Sequence, residues 1–384
     1  MTNQDLANLR KSLDDIDAVL VSALGERARL ARDIARVKAD GDGPVRDMDR
    51  ETALLQHRSA YGERVGLDPG FVRRIFREIL DDSVRRQQDA LQTVHEDAQV
   101  ELRVAYTGTE GSYAHQAACQ HFGVSGRPVT LKAYGTHLQM LEAVMQGHAD
   151  RGMLPIENTT AGSVYESYDL LLRYNLALVG EEIVDVRHCL LGLADVPLES
   201  IRRIHSHPQA LSQCSEFLDR LTTCEGVSAA NTALAAQLVR DLKDPTQAAI
   251  ASAEAGAHFG LQVLQRNIAN QAVNYTRFFV VAGTPVACDP RIAAKVSMVL
   301  ATRHEHGCLV RCLNVIADEG LNLTKLESRP KLGTPWEYVF YIDVEGHVGE
   351  PRVQAALAGL AERTVFLKVL GCYPARELPG LTPS

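Results

Sequence analysis

The chain has 384 residues, of which 46% are hydrophobic and 23% are charged, a composition typical of a soluble globular protein with two or three domains. The net charge of −8 argues against nucleic-acid binding, and no apolar run is long enough for a signal peptide or a membrane span. Eight scattered cysteines without a Cys-x-x-Cys pair favour reduced thiols over a disulfide framework or a zinc site. We therefore predict a cytoplasmic protein.

An apolar stripe predicts a long first helix, from Thr2 to about Ala39. Leucine, isoleucine and valine recur at spacings of three or four between Leu6 and Val37. At 1.5 Å per residue this helix is roughly 55 Å long. A second helical pattern begins after Asp49, and a third runs from about Pro69 to Leu91. Three such helices do not enclose a core alone, so we expect them to pair with a second copy of the chain.

Beyond a polar linker at 93–99, short apolar strands alternate with helices. LRVAYTG, DRGMLPIENT and TRFFVVAG are among these strands, and the alternation predicts open α/β layers up to about Pro285. From about Ala294 the order strand–helix–strand–strand–helix–strand predicts a ferredoxin-like α+β unit. The expected domains are all-helical (1–92), α/β (100–285) and α+β (294–374).

A first candidate site lies on the helices. Lys38 follows Arg27 by eleven residues, almost three turns, so both leave one face of the first helix roughly 16 Å apart along its axis. Arg10 lies about 25 Å from Arg27 by the same geometry, too far to share a ligand unless it comes from an antiparallel partner. Ser83 and Gln87, four apart on the third helix, also share a face. Each residue taken alone also fits a solvated surface position.

The segment from Leu6 to Gln88 resembles the all-helical chorismate mutases of the bacterial bifunctional type. The motifs that carry the resemblance are LRKSLDDID, ERARLARDIARVK, PVRDMDRE and DDSVRRQQ. It implies a domain-swapped dimer in which Arg10 of the other chain and Arg27 hold the two carboxylates of chorismate. It also implies that Lys38 and Gln87 are catalytic donors to the ether oxygen of the substrate. The implied chorismate-binding residues are Arg10, Arg27, Lys38, Asp47, Arg50, Glu51, Ser83 and Gln87.

The charged stretch PVRDMDRE, 44–51, allows two interpretations. It could be a solvated helix N-terminus, with Asp49 as the cap and Glu51 near the positive end of the helix dipole. The resemblance implies instead that Asp47 and Glu51 bind the ring hydroxyl, while Arg50 helps to balance their charge. Rearrangement of chorismate to prephenate needs neither nucleophile nor metal, and fixed cations stabilise the charge that grows on the ether oxygen.

Four motifs mark the α/β domain, the first of which lies between a strand and a helix, where its N–H groups could cradle an anion. The motifs are GTEGSY (108–113), PIENTTAGSV (155–164), SHPQALSQC (206–214) and NYTRFFVVA (274–282). Taken singly, TRFFVV also fits a core strand and ENTTAG a polar turn. His205 and His207 could suggest a metal pair, but no third ligand is evident nearby.

Together these motifs resemble prephenate dehydratase over roughly 102–283. The resemblance implies two subdomains of the periplasmic-binding-protein kind, with the site in the cleft between them. It implies that Thr276 is catalytic and donates to the departing hydroxide, and that Arg277 suits a substrate carboxylate. Thr109 departs from the family, which usually has proline there. The other implied prephenate-binding residues are Ser112, Glu157, Asn158, Thr159, Ser206 and Gln209, with Gln213 as a further candidate.

GCLVRCLNVI and LESRP resemble the GALV and ESRP motifs of the ACT regulatory domain, over about 294–374. The resemblance implies a site for L-phenylalanine between two such domains. Cys308 replaces the alanine of the family and is expected to retune affinity. A dimerisation module without a ligand is the alternative. The implied regulatory residues are Gly307, Cys308, Leu309, Val310, Glu327, Ser328, Arg329 and Pro330.

The leading hypothesis is an enzyme that needs no metal or cofactor and works as a homodimer or higher oligomer. It would convert chorismate to prephenate and prephenate to phenylpyruvate, under inhibition by L-phenylalanine, without a nucleic-acid or membrane partner. Two alternatives are a non-catalytic amino-acid sensor and a dehydratase whose helical domain only dimerises it. Intact Lys38, Gln87 and Thr276 speak against the sensor.

Overall fold

The structure, a computed structural model, describes residues 3–39, 47–92, 100–221, 224–303, 305–330 and 337–376. The predicted linker 93–99 lies outside these residues. The chain divides into two compact units. The helical unit contains the described residues up to Val100, together with 124–126 and 289–292, and the two-module unit contains the rest. No helix in the described ranges is both long and apolar enough to cross a membrane.

The helical unit has the three predicted helices, α1 (Asn3–Ala39), α2 (Met48–Arg64) and α3 (Pro69–Gln92). Both α1 and α2 pack against α3. The predicted stripe of α1 is largely uncovered, because its large apolar side chains are 40–78% exposed. These side chains are Leu6, Leu9, Leu13, Ile16, Val19, Leu20, Val21, Leu24, Leu30, Ile34 and Val37.

The start of α2 differs from the cap that the sequence suggested. Asp47, not Asp49, is the N-cap, and its carboxylate accepts a hydrogen bond from the Arg50 backbone N–H at 3.0 Å. Asp49 lies in the first turn, where its charge favours the positive end of the helix dipole.

The first module of the other unit has two sheets. The first sheet is built from β1 (Leu102–Thr107), β2 (Val129–Tyr134), β3 (Arg151–Asn158), β4 (Gly162–Ser163) and β5 (Ala177–Asp185), with helices α4 (Tyr113–Phe122), α5 (His137–Met145) and α6 (Tyr165–Arg173) between them. The second is built from β6 (Cys189–Gly192), β7 (Arg203–Ser206), β8 (Glu225–Ser228), β9 (Gln247–Ala251) and β10 (Gln262–Gln265), with α7 (Pro208–Gln213), α8 (Ser215–Leu218), α9 (Thr232–Leu242) and α10 (Ala253–Phe259).

The chain then returns to the first sheet through β11 (Tyr275–Ala282). The strand orders are β2-β1-β3-β11-β5, with β4 beside β3, and β10-β6-β9-β7-β8. In the first sheet β1, β2 and β3 pair in parallel, whereas β11 runs antiparallel to β3 and β5. The mixed α/β architecture predicted for this region is therefore confirmed. The chain crosses between the sheets after β5 and again before β11.

The C-terminal module has the predicted strand–helix order. Its elements are β12 (Ala294–Thr302), α11 (Cys308–Asp318), β13 (Leu323–Pro330), β14 (Tyr338–Glu345), α12 (Pro351–Arg363) and β15 (Thr364–Pro374). They form an antiparallel sheet of order β13-β14-β12-β15.

The first sheet and the C-terminal module share one apolar core. Tyr168 and Phe279 of the first module pack in the same cluster as Tyr341 and Tyr373 of the second. A Cβ at Gly371 on β15 would lie 2.0 Å from a backbone oxygen on β5, so only glycine allows this approach.

Candidate functional sites

In the helical unit the structure brings Arg27 of α1 against Ser83 of α3. The Arg27 guanidinium donates to the Ile79 carbonyl at 3.0 Å and to the Ser83 hydroxyl, and that hydroxyl donates to the same carbonyl at 2.7 Å. Burial lowers the pKa of Arg27, and Asp82 partly opposes this effect. Because an arginine remains protonated at any physiological pH, this face keeps a fixed positive charge.

Gln87 lies one turn beyond Ser83 on α3. Its side-chain oxygen is buried without a hydrogen-bond partner among the described residues. Buried amide oxygens normally have partners, so this orphan marks a place where a ligand donor or a water would be accommodated.

The other implied chorismate residues are not gathered in one chain. Arg10 and Arg50 are exposed, Asp47 is occupied as the cap of α2, and Glu51 is half-buried. The backbone of Lys38 belongs to α1, but its side chain lies outside what the structure describes. The roles implied for these residues therefore stay predictions.

The two-module unit holds a denser polar cluster around Asn158, at the end of β3. The Asn158 amide nitrogen lies 2.7 Å from the Asn274 side-chain oxygen, 3.1 Å from the Tyr275 carbonyl and 3.0 Å from the Thr276 hydroxyl. Asn158 is buried, and Thr276 is its paired residue on β11. Because the amide donates to the Thr276 oxygen, the proton of that hydroxyl is left for a further acceptor.

The same cluster reaches the second sheet through Gln213. The Asn158 oxygen accepts from the Thr160 hydroxyl at 2.7 Å, and Gln213 contacts the same hydroxyl at 2.5 Å. The Gln213 oxygen accepts from Asn274 at 3.2 Å and lies 2.9 Å from a His188 ring nitrogen. Since Asn158 stands on β3 and Gln213 on α7, the cluster joins the first sheet to a helix that packs on the second sheet.

His188 and Tyr113 extend the cluster, with the tyrosine hydroxyl 3.2 Å from the second His188 nitrogen. Burial lowers the pKa of His188 and raises the pKa of Tyr113, so both groups are neutral near pH 7. No sequence pattern marked His188. Thr160 and Asn274, in contrast, stand inside two of the quoted motifs, and their motif membership could have identified them.

Four of the predicted prephenate residues have other hydrogen-bonding roles or none. The Thr159 hydroxyl accepts from the Tyr275 backbone N–H at 2.9 Å, which fixes the start of β11. Ser112 caps α4, and Ser206 donates to a backbone carbonyl of β9 at 2.7 Å. Gln209 is exposed on α7. Of these, only Thr159 directly touches the strand that carries Thr276.

The GTEGSY loop needs its second glycine for a steric reason. Gly111 has a φ of +80°, and a Cβ there would lie 3.2 Å from the Ala255 Cα on α10. Gln116 on α4 also donates to the Ser252 cap of α10 at 2.7 Å. The loop therefore packs against the second sheet's helix layer, and its backbone is positioned by that contact.

The structure contradicts the expectation that Arg277 and Glu157 line the same site as Thr276. Successive side chains on a strand point to opposite faces. Thr276 and Asn158 share one face, whereas the next pair in the register, Arg277 and Glu157, faces the C-terminal module. Arg277 donates to Asp343 of β14 at 2.7 Å and to the Tyr373 hydroxyl of β15 at 3.1 Å.

Arg277 is 9% exposed and lies among several carboxylates. It donates to Glu181 at 2.7 Å and to Glu157 at 3.3 Å, in addition to Asp343. Lys295 pairs with Glu181 at 2.9 Å, and Lys325 pairs with Glu157. Burial opposes ionisation of both glutamates, but these cations outweigh it and lower their pKa values. Arg277 is thus part of an internal ionic cluster and does not present an open guanidinium.

The implied regulatory residues lie on different faces. Gly307 is the N-cap of α11 with a φ of +70°, the buried Cys308 thiol donates to the carbonyl of Arg363 at the end of α12, and Val310 is 58% exposed.

On β13, Glu327 accepts from Ser163 at 2.6 Å, and Arg329 donates to Asp169 at 3.0 and 3.1 Å. Ser328 alternates with them and is exposed. The ESRP segment therefore contacts the first module with two of its side chains, and the regulatory role implied for these residues stays a prediction.

Comparison with known proteins agrees with both candidate regions. Residues 9–88 match the family model described as chorismate mutase type II, and residues 104–285 match the model for prephenate dehydratase. A bifunctional chorismate mutase/prephenate dehydratase of Enterobacter agglomerans is 38% identical over 98% of both chains.

Two solved structures share the fold of the two-module unit. The prephenate dehydratase of Arthrobacter aurescens, solved with L-Phe, is 31% identical, covers 71% of this chain and 90% of its own, and has a TM-score of 0.63. GqqA, described as a novel type of quorum-quenching acylase, is 33% identical, with coverages of 71% and 98% and a TM-score of 0.64. The fold therefore does not assign an activity by itself. The match over the full length does assign the family: this chain belongs to the bifunctional chorismate mutase/prephenate dehydratases.

Proposed function

We propose that this chain converts chorismate to prephenate in its helical unit and prephenate to phenylpyruvate in its two-module unit. The observation that carries the second step is the hydrogen bond from Asn158 to Thr276 within a cluster that joins the first sheet to α7. The family supports the pairing of the two activities on one chain.

The mutase step needs a folded substrate and a stabilised ether oxygen. Arg27, held by Ser83 and Ile79, supplies a preorganised cation for one carboxylate of chorismate. The Gln87 amide would donate to the ether oxygen together with Lys38. Such donors act on charge that develops only in the transition state, so they lower the barrier rather than merely binding substrate.

The helical site would be completed by a second copy of the chain. The exposed apolar face of α1 supports a dimer that buries this face, and in that dimer Arg10 of the partner chain would reach the carboxylate that Arg27 leaves unpaired. Asp47, Arg50 and Glu51 would then lie at the ring hydroxyl, as the family resemblance implies.

In the dehydratase step the ring hydroxyl leaves as water while carbon dioxide departs and the ring becomes aromatic. Hydroxide is a poor leaving group, so a donor must face it. The Thr276 hydroxyl fits this role because Asn158 occupies its oxygen as donor and leaves its proton for the substrate. The neutral His188, reached through Gln213, would keep that amide network in one orientation.

Arg277 takes a different role from the one first expected. We assign it to the scaffold, where it joins β11 to the C-terminal module and fixes the strand that carries Thr276. The substrate carboxylates then need another cationic or N–H partner, for which the GTEGSY backbone at the start of α4 is the candidate.

The C-terminal module would be an ACT-type, ferredoxin-like domain that binds L-phenylalanine between two copies. The strand order β13-β14-β12-β15 and the Arthrobacter dehydratase solved with L-Phe support this assignment. The corresponding domain limits would be 1–92, 100–285 and 294–374. The cytoplasmic location is proposed from the composition and the scattered cysteines of the sequence.

A coupled absorbance assay tests the proposal directly. Purified protein should consume chorismate and produce the alkaline phenylpyruvate signal, and Thr276→Ala should consume chorismate but accumulate prephenate. L-Phenylalanine should reduce phenylpyruvate production. A protein that binds L-phenylalanine yet leaves chorismate and prephenate untouched would instead be an amino-acid sensor.

A further inference from the structure

Two cysteines and a histidine meet in the two-module unit, away from the Asn158 cluster. Cys288 lies between β11 and β12, His347 lies in the turn after β14, and Cys372 lies on β15. One side-chain nitrogen or sulfur from each lies within 4.8 Å of the others. Because these residues are 59 and 25 positions apart, no spacing motif in the sequence announces the cluster.

The histidine has partners for both ring nitrogens. Its Nε2 lies 2.9 Å from the Cys288 carbonyl, and its Nδ1 accepts from the Gly349 backbone N–H at 3.0 Å. A carbonyl can only accept and an N–H can only donate, so Nε2 acts as the donor and Nδ1 as the acceptor in this geometry. The imidazole holds the Cys288 backbone in place and has no lone pair left over for a metal ion.

The two sulfurs interact directly. The Cys288 thiol hydrogen-bonds to the Cys372 sulfur, which also accepts from the Val348 backbone N–H at 3.5 Å. The Cys288 contact is the main cause that lowers the pKa of Cys372 to about 6, against the opposing effect of burial. The lowered pKa favours the thiolate of Cys372, and the thiolate is the form that attacks disulfides.

A second thiol pair in the same module behaves differently. Cys308 and Cys312 also interact, but burial raises the pKa of Cys312. The exposed Cys119 likewise has a raised pKa because of partial burial of its sulfur. Proximity of two thiols is thus not sufficient for activation. Cys372 differs because its sulfur accepts from the Cys288 thiol and from the Val348 N–H.

We propose that Cys288 and Cys372 form a reversible disulfide that ties the segment between β11 and β12 to β15. The sulfurs are at most 4.8 Å apart and need to close to about 2.05 Å. In the first step the Cys372 thiolate attacks one sulfur of a small disulfide such as oxidised glutathione, and one glutathione thiolate leaves. In the second, Cys288 loses its proton and attacks the Cys372 sulfur, which expels the second glutathione. Two protein thiols are oxidised and one glutathione disulfide is reduced.

The disulfide would act on the contact between the modules. Tyr373 follows Cys372 and bonds to Arg277, and Gly371 precedes it in close contact with β5. Closure would hold β15 and the connecting segment together at the point where the C-terminal module meets the strand of Thr276.

The test is a titration of the full-length protein in buffers of increasing oxidised-to-reduced glutathione ratio, followed by alkylation, trypsin digestion and mass spectrometry. Trypsin releases the two cysteines on separate single-cysteine peptides, 278–291 and 369–376. We expect these peptides to appear linked as the ratio rises and to separate on reduction. Cys119→Ser, a control that leaves the same number of thiols as each test variant, should form the link like the wild type.

Single variants test the order of the two steps. Cys288→Ser should trap glutathione on Cys372, whereas Cys372→Ser should leave Cys288 unmodified under the same conditions. Failure of the link to form at every ratio, or modification of Cys372 no faster than that of Cys119, would overturn the proposal. Stoichiometric zinc in the purified protein that is lost in Cys372→Ser would also overturn it, because the residues would then be metal ligands.

Discussion

The large apolar side chains of α1 are 40–78% exposed, whereas in the two-module unit the inward residues of β9 and most of those of β11 are almost completely buried. The polar groups differ in the same way. In the helical unit Arg27 meets Ser83, while Arg10 is left exposed and the Gln87 oxygen has no partner in the described residues. Around Asn158, amides and hydroxyls from the end of β3, the start of β11 and α7 satisfy one another.

Under the proposed function, this difference would separate a site that a second chain completes from one that a single chain completes. A long helix in a three-helix unit has too little partner surface to cover its apolar stripe, so in the proposed dimer association would supply both the core and the second cation. A two-sheet module buries its strands internally, and its polar cluster is preorganised before any partner arrives.

The largest expected effect concerns the mutase donors. Lys38→Ala should lower mutase turnover about 100- to 1000-fold, the usual loss when one donor to a developing oxyanion is removed. Conversion of supplied prephenate should be unchanged, since Thr276 lies in the other unit. Lys11→Ala, an exposed lysine on the same helix, is the matched control. Parallel loss of both activities in Lys38→Ala would contradict the separation of the sites.

Gln87→Glu tests the mutase site through the pH dependence of its activity. The neutral amide donates at every ordinary pH, but a carboxyl donates only while it is protonated, and an ordinary glutamate has a pKa of about 4.3. We expect mutase activity of the variant to fall as pH rises from acidic to neutral values, with the wild-type profile flat over that range. A pH–rate profile identical to that of the wild type would remove Gln87 from the reaction.

For the dehydratase, Thr276→Ala should lower turnover of prephenate by about 100-fold, the lower end for loss of a positioned proton donor. Thr276→Ser keeps the hydroxyl and should retain most of the activity. The mutase rate measured on chorismate should not change in either variant. Near-normal dehydratase turnover in the alanine variant would assign the proton to another group.

Arg277→Ala should affect the stability of the two-module unit more than the dehydratase reaction. It leaves Glu181 and Asp343 buried with reduced compensation, so we expect the free energy of unfolding of the two-module unit to fall by about 3–5 kcal/mol. Arg187→Ala, which removes a mostly exposed pair with Asp185, should cost about 0–1 kcal/mol. Urea denaturation compares the two. Equal, small losses would indicate that water replaces the Arg277 contacts.

The sequence predicted the elements better than the directions of their side chains. The apolar spacing placed α1 and α3 within about one residue of their observed ends, because helix periodicity is a local property. Thr276 and Arg277 were expected together because they are neighbours in one motif. The alternation of a strand separates them, and this signal was available in the sequence.

Other features have no local signal. Asn274 and Gln213 meet only because the chain returns from the second sheet to the first, and strand order is not readable from either motif. Cys288, His347 and Cys372 converge from a connecting segment, a turn and a strand. Such contacts depend on tertiary packing, so neither composition nor spacing could have predicted which of these residues meet.

The most direct measurement is complementation between inactive variants. Arg10→Ala and Lys38→Ala chains, each without mutase activity, are mixed and allowed to exchange subunits. If the helical site is shared, random pairing gives about one-quarter of wild-type mutase activity, because half of the dimers are mixed and each of these has one intact site. Thr276→Ala mixed with Asn158→Ala should recover no dehydratase activity. A mutase that stays inactive after verified exchange would contradict the account.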